Sequence, residues 1–340
     1  MMVAPLLLSC LADAPMIPWR AKYDAAFAEA AARNVPVLIV DFDGWTEDRG
    51  QTQPEAFFAD KAFQAELEFA VVMLASQHDH GSTRRTIDGE EREVCSAWGG
   101  ISCDAHRDLL PKLFADFGKD GELVSPLFIV ASPERKEMAR MEHEKRPSDL
   151  VFALKDAAKR LGAGMSATHH RQLVEGLTRL RRLIELHEYA AATTLLETLK
   201  RVPGNFAPNV AVKAVEGTLD AAGQAQVKRA EELWSAGRLL EALQQLDDVK
   251  AAFGKLPSAA AASTALAAHE KDPQAKPHLS VLKAHRNARQ LYFLAVSQEQ
   301  AGDRRRALES IEKLLRQFPE SAFTDRATAL RSGLKASTNR

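Results

Sequence analysis

The pattern of apolar and polar residues changes about halfway along the chain. In the first half, short apolar runs at 37–40 and 69–75 alternate with stretches at 23–33, 54–67 and 104–117 whose apolar residues recur at helical spacing. Short runs rich in β-branched side chains are typical of strands buried on both faces. The alternation of helical and strand patterns predicts an α/β domain with 37–40 as a central strand.

The second half has no pattern typical of strands. A break rich in small residues at 162–166 ends the alternation, and beyond it Ala, Leu, Glu, Arg and Gln dominate. Such a break is typical of a domain boundary. The sequence therefore predicts an α/β domain at 18–162 and an all-α domain at 163–340.

Short motifs flank the predicted strands. They are Pro18-Trp19, Val35-Pro36-Val37, Asp41-Phe42, Gly44-Trp45 and Ser125-Pro126. Together with the order of the elements, these motifs resemble those of a thioredoxin-fold domain. The resemblance implies a strand after Pro126, a hairpin partner strand at 135–143 and a closing helix at 147–161.

In the thioredoxin family, the Trp that Trp45 matches is followed by Cys-x-x-Cys at the start of a helix, which stabilises the attacking thiolate. Here Thr46 and Arg49 occupy the two cysteine positions, and neither side chain can exchange disulfides. Pro126 matches the family's cis proline. The resemblance thus implies a degenerate thioredoxin site at Trp45, Thr46, Arg49 and Pro126.

A long polar insertion at 76–102 separates the second apolar run from the next helix, and loops of this length are usually functional or disordered. Asp104 is the expected cap of that helix, which would place Cys103 just before its first turn. Residues of the types that bind metals lie in or beside the insertion: His78, His80, Cys95, Cys103 and His106.

The cysteines of this insertion leave four interpretations open. Cys95 and Cys103 could form a structural disulfide, remain two unlinked thiols, or act as a redox pair in which Cys103 attacks and Cys95 resolves. With the histidines they could instead bind zinc, which takes nitrogen and sulfur ligands tetrahedrally. The spacing matches no standard zinc signature, so the sequence by itself predicts no cofactor.

The helical half contains an internal repeat. Its copies are Leu291, Leu294, Ala295, Gly302, Ala307, Ile311, Leu314 and Pro319; Ala230, Leu233, Gly237, Ala242, Leu246 and Val249; and Leu180, Leu183, His187, Ala192, Leu196 and Leu199. This register resembles the tetratricopeptide repeat, in which small residues lie where two antiparallel helices touch and a glycine makes the turn. The copies are spaced more widely than the family's period of about 34 residues, so we expect a compact set of helix hairpins.

Charge and termini bear on location. The chain has 45 Lys and Arg against 46 Asp and Glu, which gives no indication of nucleic-acid or membrane-surface binding. Three cysteines are too few for a disulfide scaffold. Residues 1–17 are a candidate signal or lipoprotein segment, because Ala12-Asp13-Ala14 resembles a signal-peptidase site and Leu7-Leu8-Ser9-Cys10 resembles a lipoprotein box. We predict a periplasmic or secreted protein, with lipidation of Cys10 as its one route to a membrane; a cytoplasmic location is the alternative.

These resemblances imply a function. Tetratricopeptide domains bind proteins or peptides, and a thioredoxin-like domain without its dithiol keeps the fold but loses the chemistry. The expected protein is a non-catalytic adaptor or scaffold of the bacterial envelope that binds a protein or peptide through its helical repeats. The alternative is a thiol–disulfide oxidoreductase that uses a relocated Cys95/Cys103 pair.

Overall fold

The computed structural model describes residues 17–41, 60–87, 89–119, 125–142, 146–203 and 207–336. Trp45, Thr46 and Arg49 of the predicted degenerate site lie outside the described residues, as do Cys10 and nearly all of the candidate signal segment. The chain divides into two compact units. One comprises Met1–Thr178 and Thr198–Val212, and the other comprises Arg179–Glu197 and Lys213–Arg340.

The first unit contains a mixed α/β fold. Its helices are α1 (Tyr23–Arg33), α2 (Lys61–Leu67), α3 (Cys103–Phe117) and α4 (Pro147–Leu161), and its strands are β1 (Val37–Asp41), β2 (Val71–Ala75), β3 (Ser82–Ile87), β4 (Glu90–Cys95), β5 (Leu127–Ala131) and β6 (Glu137–Glu142). Four strands form one sheet in the order β2-β1-β5-β6. In it β1 is parallel to β2 and antiparallel to β5, and β5 and β6 form a hairpin. The predicted central strand, partner strand and closing helix are confirmed.

Both faces of this sheet are covered by helices. Along β1, Leu38 and Val40 belong to one apolar core, which includes residues of α2 and α4. Val37 and Ile39 belong to another, which includes residues of α1 and α3. Since successive side chains of a strand point to opposite faces, the four-residue apolar run had to be buried on both sides. The fold is therefore a sheet between two helical layers.

The insertion contains a β-hairpin that the sequence analysis did not predict. Strands β3 and β4 pair antiparallel with each other and form a sheet of their own. Most of their side chains are exposed on both faces, so the run lacks the apolar alternation that predicts a half-buried strand. The Asp88-Gly89 dipeptide, typical of hairpin turns, was the available signal.

From residue 163 onward, the described residues form helices and turns only. The helices are α5 (Ala167–Glu185), α6 (Tyr189–Leu199), α7 (Ala207–Ser235), α8 (Leu239–Ala252), α9 (Pro257–His269), α10 (Leu279–Gln300), α11 (Arg304–Gln317) and α12 (Thr324–Ala336), with a 3₁₀ helix at Pro273–His278. The predicted change to an all-helical second half is confirmed. Within the described ranges, no helix combines the length and apolar character needed to cross a bilayer.

Three tight turns join α5 to α6, α7 to α8 and α10 to α11 with the same geometry. The turn residues are His187, Gly237 and Gly302, with φ angles of 58°, 78° and 80°. In each turn the next amide donates to the carbonyl five residues earlier, over 2.9 Å: Glu188 to Leu183, Arg238 to Leu233 and Asp303 to Gln298. This left-handed C-terminal cap is the one that favours glycine, as the predicted register required.

Burial follows the same register in the three helix pairs. Residues at corresponding positions of the three pairs, counted from each turn residue, are all fully buried. They are Leu180, Ala230 and Ala295 before the turn, and Ala192, Ala242, Ala307, Leu196, Leu246 and Ile311 after it. Alanine follows the turn in all three pairs and precedes it in the second and third, with Leu180 in the first, and this small side chain allows two helices to approach closely. The three helix pairs thus share the same turn geometry and the same pattern of buried positions.

The turn glycines provide a first test of this register. We expect Gly302→Ala to lower the free energy of unfolding by about 1–2 kcal/mol, because the left-handed region is less favourable by that amount for a residue with a Cβ. Beyond the chain neighbours, no described atom lies within 4 Å of the added Cβ, so steric contact with other residues does not contribute. Gly217→Ala, in open space within α7, is the matched control and should raise stability by about 1 kcal/mol. Urea unfolding followed by circular dichroism measures both changes in free energy. Changes of the same sign in the two variants would contradict the assignment of Gly302 to a left-handed turn.

Candidate functional site

The structure brings four of the five predicted ligand-type residues together. One ligand atom from each of His80, Cys95, Cys103 and His106 lies within 4.8 Å of the other three. His80 precedes β3, Cys95 ends β4, and the other two lie in the first turn of α3. The fifth residue, His78, is exposed and is not part of this cluster.

The β-hairpin brings His80 and Cys95 close to each other. Ser82, at the start of β3, pairs with Cys95 at the end of β4, so the residues just before β3 lie beside that cysteine. The chain then folds back through Gly99 and Gly100, which have φ angles of 61° and 48°. The Cys95 amide donates to the Ile101 carbonyl over 2.7 Å and closes this turn.

Helix α3 supplies the other two residues. It begins at Cys103, and the Ser102 hydroxyl caps it by accepting a hydrogen bond from the Ala105 amide over 3.2 Å. The prediction that Asp104 caps the helix was wrong, because Ser102 takes that role. Cys103 therefore lies inside the first turn and shares a helix face with His106, three residues later.

The orientation of His106 is set by the chain before the insertion. Its side chain is fully buried, and its Nδ1 atom lies 3.0 Å from the Ser76 carbonyl oxygen. Since a carbonyl only accepts hydrogen bonds, Nδ1 carries the proton and Nε2 presents its lone pair. Among the described residues, Nε2 has no hydrogen-bond partner. Burial lowers the pKa of His106, which keeps the ring neutral.

The two cysteines are free and buried. The Cys103 sulfur accepts a hydrogen bond from the His80 amide over 3.4 Å. Burial, reinforced by the neighbouring Cys95, raises the pKa of the Cys103 thiol to about 11. At neutral pH this thiol is therefore protonated and a poor nucleophile.

Aromatic side chains surround the cluster. The Trp98 ring lies edge-on to His80 at a centroid distance of 6.3 Å and edge-on to Trp19 at the same distance. Both tryptophans belong to the same apolar core as Cys95 and Cys103. Cys95, Cys103 and His106 are thus buried beside an apolar core, whereas His80 is partly exposed.

The predicted degenerate thioredoxin site is described only at Pro126. The Ser125–Pro126 peptide bond is cis, as its match to the family's cis proline predicted, and both residues are partly exposed. Trp45, Thr46 and Arg49 lie outside the described residues, so their predicted arrangement around Pro126 stays a prediction.

A second polar cluster, which sequence reasoning missed, lies in the helical unit. A cavity of about 460 Å³ there is lined by Asp247, Glu270, Arg286 and Arg289, among others. Its arginines pair with its acids: Arg289 with Asp247 at 2.6 Å, and Arg286 with Asp247 and Glu270 at 2.7 Å each. Because these charges compensate one another, the cluster is best explained as helix-packing ion pairs.

The Cys/His cluster is therefore the candidate site. Its side chains can chemically hold a metal, form a disulfide between the cysteines, or remain two free thiols beside two imidazoles. Ser76 and Ser102, which orient two of its members, carry no recognisable motif in the sequence. No protein-family model matches the chain, and no curated protein matches it.

Proposed function

We propose that this protein is a thioredoxin-like adaptor that binds another protein through tetratricopeptide-like helix pairs and does not exchange disulfides. The observation that carries the proposal is the register of burial and turn geometry shared by three helix pairs. Stacked helix pairs have no chemistry of their own, and in repeat proteins they present extended surfaces for proteins and peptides.

The sheet supports the thioredoxin-like part of the proposal. Its order β2-β1-β5-β6, with a parallel pair at one side and a hairpin at the other, agrees with the elements that the resemblance implied. Thr46 and Arg49 stand at the positions of the family's cysteines. A fold retained without its nucleophile is better suited to binding than to catalysis, although the fold alone does not fix the function.

An exposed apolar pair in the third helix pair is the proposed contact. Phe293 and Leu294 on α10 are 43% and 49% exposed. At the same distances from the turn residue, the second pair carries Lys228 and Arg229. Because aromatic side chains are enriched at protein interfaces and a few residues contribute most of the binding energy, we propose that the partner binds the surface formed by Phe293 and Leu294 through its own apolar side chains.

Site-specific cross-linking tests this function. With p-benzoylphenylalanine at position 293, we expect a covalent adduct with one identifiable partner in cells, whereas position 228 of the second pair, the matched control, gives none. Binding of the purified partner should weaken at least about tenfold in Leu294→Ser, the loss typical of an interface anchor. Equal adducts at both positions, or unchanged affinity in the variant, would contradict the proposal.

The second candidate function is thiol–disulfide exchange, which the proximity of Cys95 and Cys103 favours. Against it, the pKa of Cys103 is raised to about 11. We expect no insulin reduction above background in the wild-type protein and no change in Cys95→Ser/Cys103→Ser. Turnover in the wild type that is lost in the double variant would establish the oxidoreductase instead.

The proposed location is the cell envelope, on the basis of the candidate signal segment at 1–17 and the motif that ends at Cys10. The mass of the mature protein tests it. Cleavage after Ala14, or a diacylglyceryl adduct at Cys10, would support export. A mature protein that is found in the cytosolic fraction and still carries the candidate signal segment would favour the cytoplasmic alternative.

A further inference from the structure

We infer that the α/β unit binds one Zn²⁺ ion through His80, Cys95, Cys103 and His106. This site goes beyond the proposed protein-binding function and does not depend on it. Two thiolates and two imidazole nitrogens are the mixed donor set that zinc takes in structural sites, whereas Mg²⁺ and Ca²⁺ require oxygen. Tetrahedral S₂N₂ coordination is likewise typical of zinc.

The distances fit a tetrahedron after small movements. Zinc–nitrogen and zinc–sulfur bonds of about 2.0–2.3 Å place neighbouring ligand atoms about 3.3–3.8 Å apart. In this structure the four atoms lie within 4.8 Å of one another. Closing the difference requires shifts of about 1 Å, which side-chain rotation supplies without moving the backbone.

His106 already has the orientation of a ligand. Its Nδ1 atom faces the Ser76 carbonyl at 3.0 Å, and a metal-bound histidine usually donates its other ring nitrogen to such an oxygen. Its Nε2 atom is buried and has no hydrogen-bond partner among the described residues. A buried acceptor without a partner is costly, and a metal ion in the cluster would satisfy it.

Charge balance also favours a divalent ion. Two thiolates and two neutral imidazoles carry two negative charges, which Zn²⁺ cancels. The neutral centre can then remain in the apolar core that contains Cys95, Cys103, Trp19 and Trp98, where uncompensated thiolates would be strongly disfavoured. Metal binding would replace the thiol protons, because zinc ligands must be deprotonated.

The site is structural rather than catalytic. Catalytic zinc keeps one position for water or substrate, whereas here protein side chains fill four. The ligands connect the loop before β3, the end of β4 and the start of α3. The ion would therefore fasten the base of the β3–β4 hairpin, a two-stranded sheet that is only marginally stable by itself, to the rest of the unit.

The test uses the full chain, reduced with a phosphine and freed of metal, then titrated with Co²⁺ as a spectroscopic probe and with Zn²⁺ in competition. We expect one metal per chain, with intense visible d–d bands of tetrahedral Co²⁺ and thiolate-to-cobalt charge transfer in the near ultraviolet. Added Zn²⁺ should displace the cobalt, and mass spectrometry should then detect one zinc ion per chain. A weak octahedral spectrum, or no binding by the folded wild-type chain, would overturn the inference without any variant.

Variants then identify the ligands. Cys103→Ser and His106→Gln should each weaken zinc binding by more than about 100-fold, since even the partners of ligands change affinity by about 10–100-fold. His78→Gln is the matched control, because this histidine is exposed and is outside the cluster, and it should bind zinc like the wild type. Circular dichroism verifies that each variant is folded. A loss of binding in His78→Gln equal to that in His106→Gln would overturn the ligand assignment.

Discussion

Arg33→Met is expected to lower the free energy of unfolding of the α/β unit by about 3–5 kcal/mol, the usual cost of removing one partner from a buried ion pair. The Arg33 side chain is only 1% exposed although it carries a full charge. Its loss leaves buried acceptors without donors, and methionine of similar length fills the space but donates no hydrogen bond.

The contacts of Arg33 explain why the effect is large. Its guanidinium donates to the carbonyl oxygens of Glu68 at 2.7 Å, Met165 at 3.2 Å and Ala70 at 3.3 Å. It also donates to the Glu29 carboxylate at 2.9 Å. One side chain at the end of α1 thus fixes the chain before β2 and the segment that follows α4.

Arg20→Met is the matched control for this prediction. Arg20 donates two hydrogen bonds to the same Glu29 carboxylate, at 2.6 and 2.9 Å, but its side chain is 35% exposed. An ion pair that water can screen contributes about 0–1 kcal/mol. Urea unfolding followed by tryptophan fluorescence should therefore separate the two variants, and similar losses would show that burial of Arg33 is not the cause.

The role of Arg33 could not be predicted from the sequence, although the neighbouring strands could. The apolar runs at 37–40 and 69–75 predicted β1 and β2 because burial on both faces leaves a local composition signal. Arg33, by contrast, looks like an ordinary basic residue at a helix end. Besides Glu29, its partners are backbone oxygens up to 132 positions away, and backbone oxygens carry no residue identity that a sequence pattern could reveal.

The candidate site was predictable in its residue types but not in its geometry. His80, Cys95, Cys103 and His106 were visible as ligand-type residues, but the β-hairpin that brings the first two together was not predicted. Their convergence depends on the pairing of Ser82 with Cys95. That pairing joins two strands with exposed side chains, so no apolar alternation could fix the register in advance.

The helical half was more predictable, because corresponding positions could be recognised by comparing segments of the sequence with one another. Equal spacing of Ala192, Ala242 and Ala307 from their turn residues indicates equivalent contacts from the sequence alone. The extra segments between copies could not be predicted in the same way. They became α9, the 3₁₀ helix and the first part of α7, elements without a counterpart in the repeat.

Removal of zinc from the Cys/His cluster is expected to lower the melting temperature of the α/β unit. At free zinc about 1,000 times the dissociation constant, binding to the folded state contributes about 4 kcal/mol. Since 1 kcal/mol shifts the melting temperature of a domain of about 150–250 residues by about 2–4 °C, chelation should lower it by about 8–16 °C. Calorimetry of the zinc-loaded and chelated protein measures the shift, and Cys103→Ser, which lacks one ligand, should show no zinc-dependent change.

The loss of stability should also be local, and hydrogen exchange can locate it. Among the described strands, β3 and β4 pair only with each other, so without the ion their amides should exchange much faster, together with the first turn of α3. Amides of β1 lie in the middle of the four-stranded sheet, with fully buried side chains on both faces, and should keep their protection. A uniform increase in the rate of amide exchange over the whole α/β unit would contradict a local role for the metal. A zinc ion bound at the base of the hairpin stabilises first the elements that it connects.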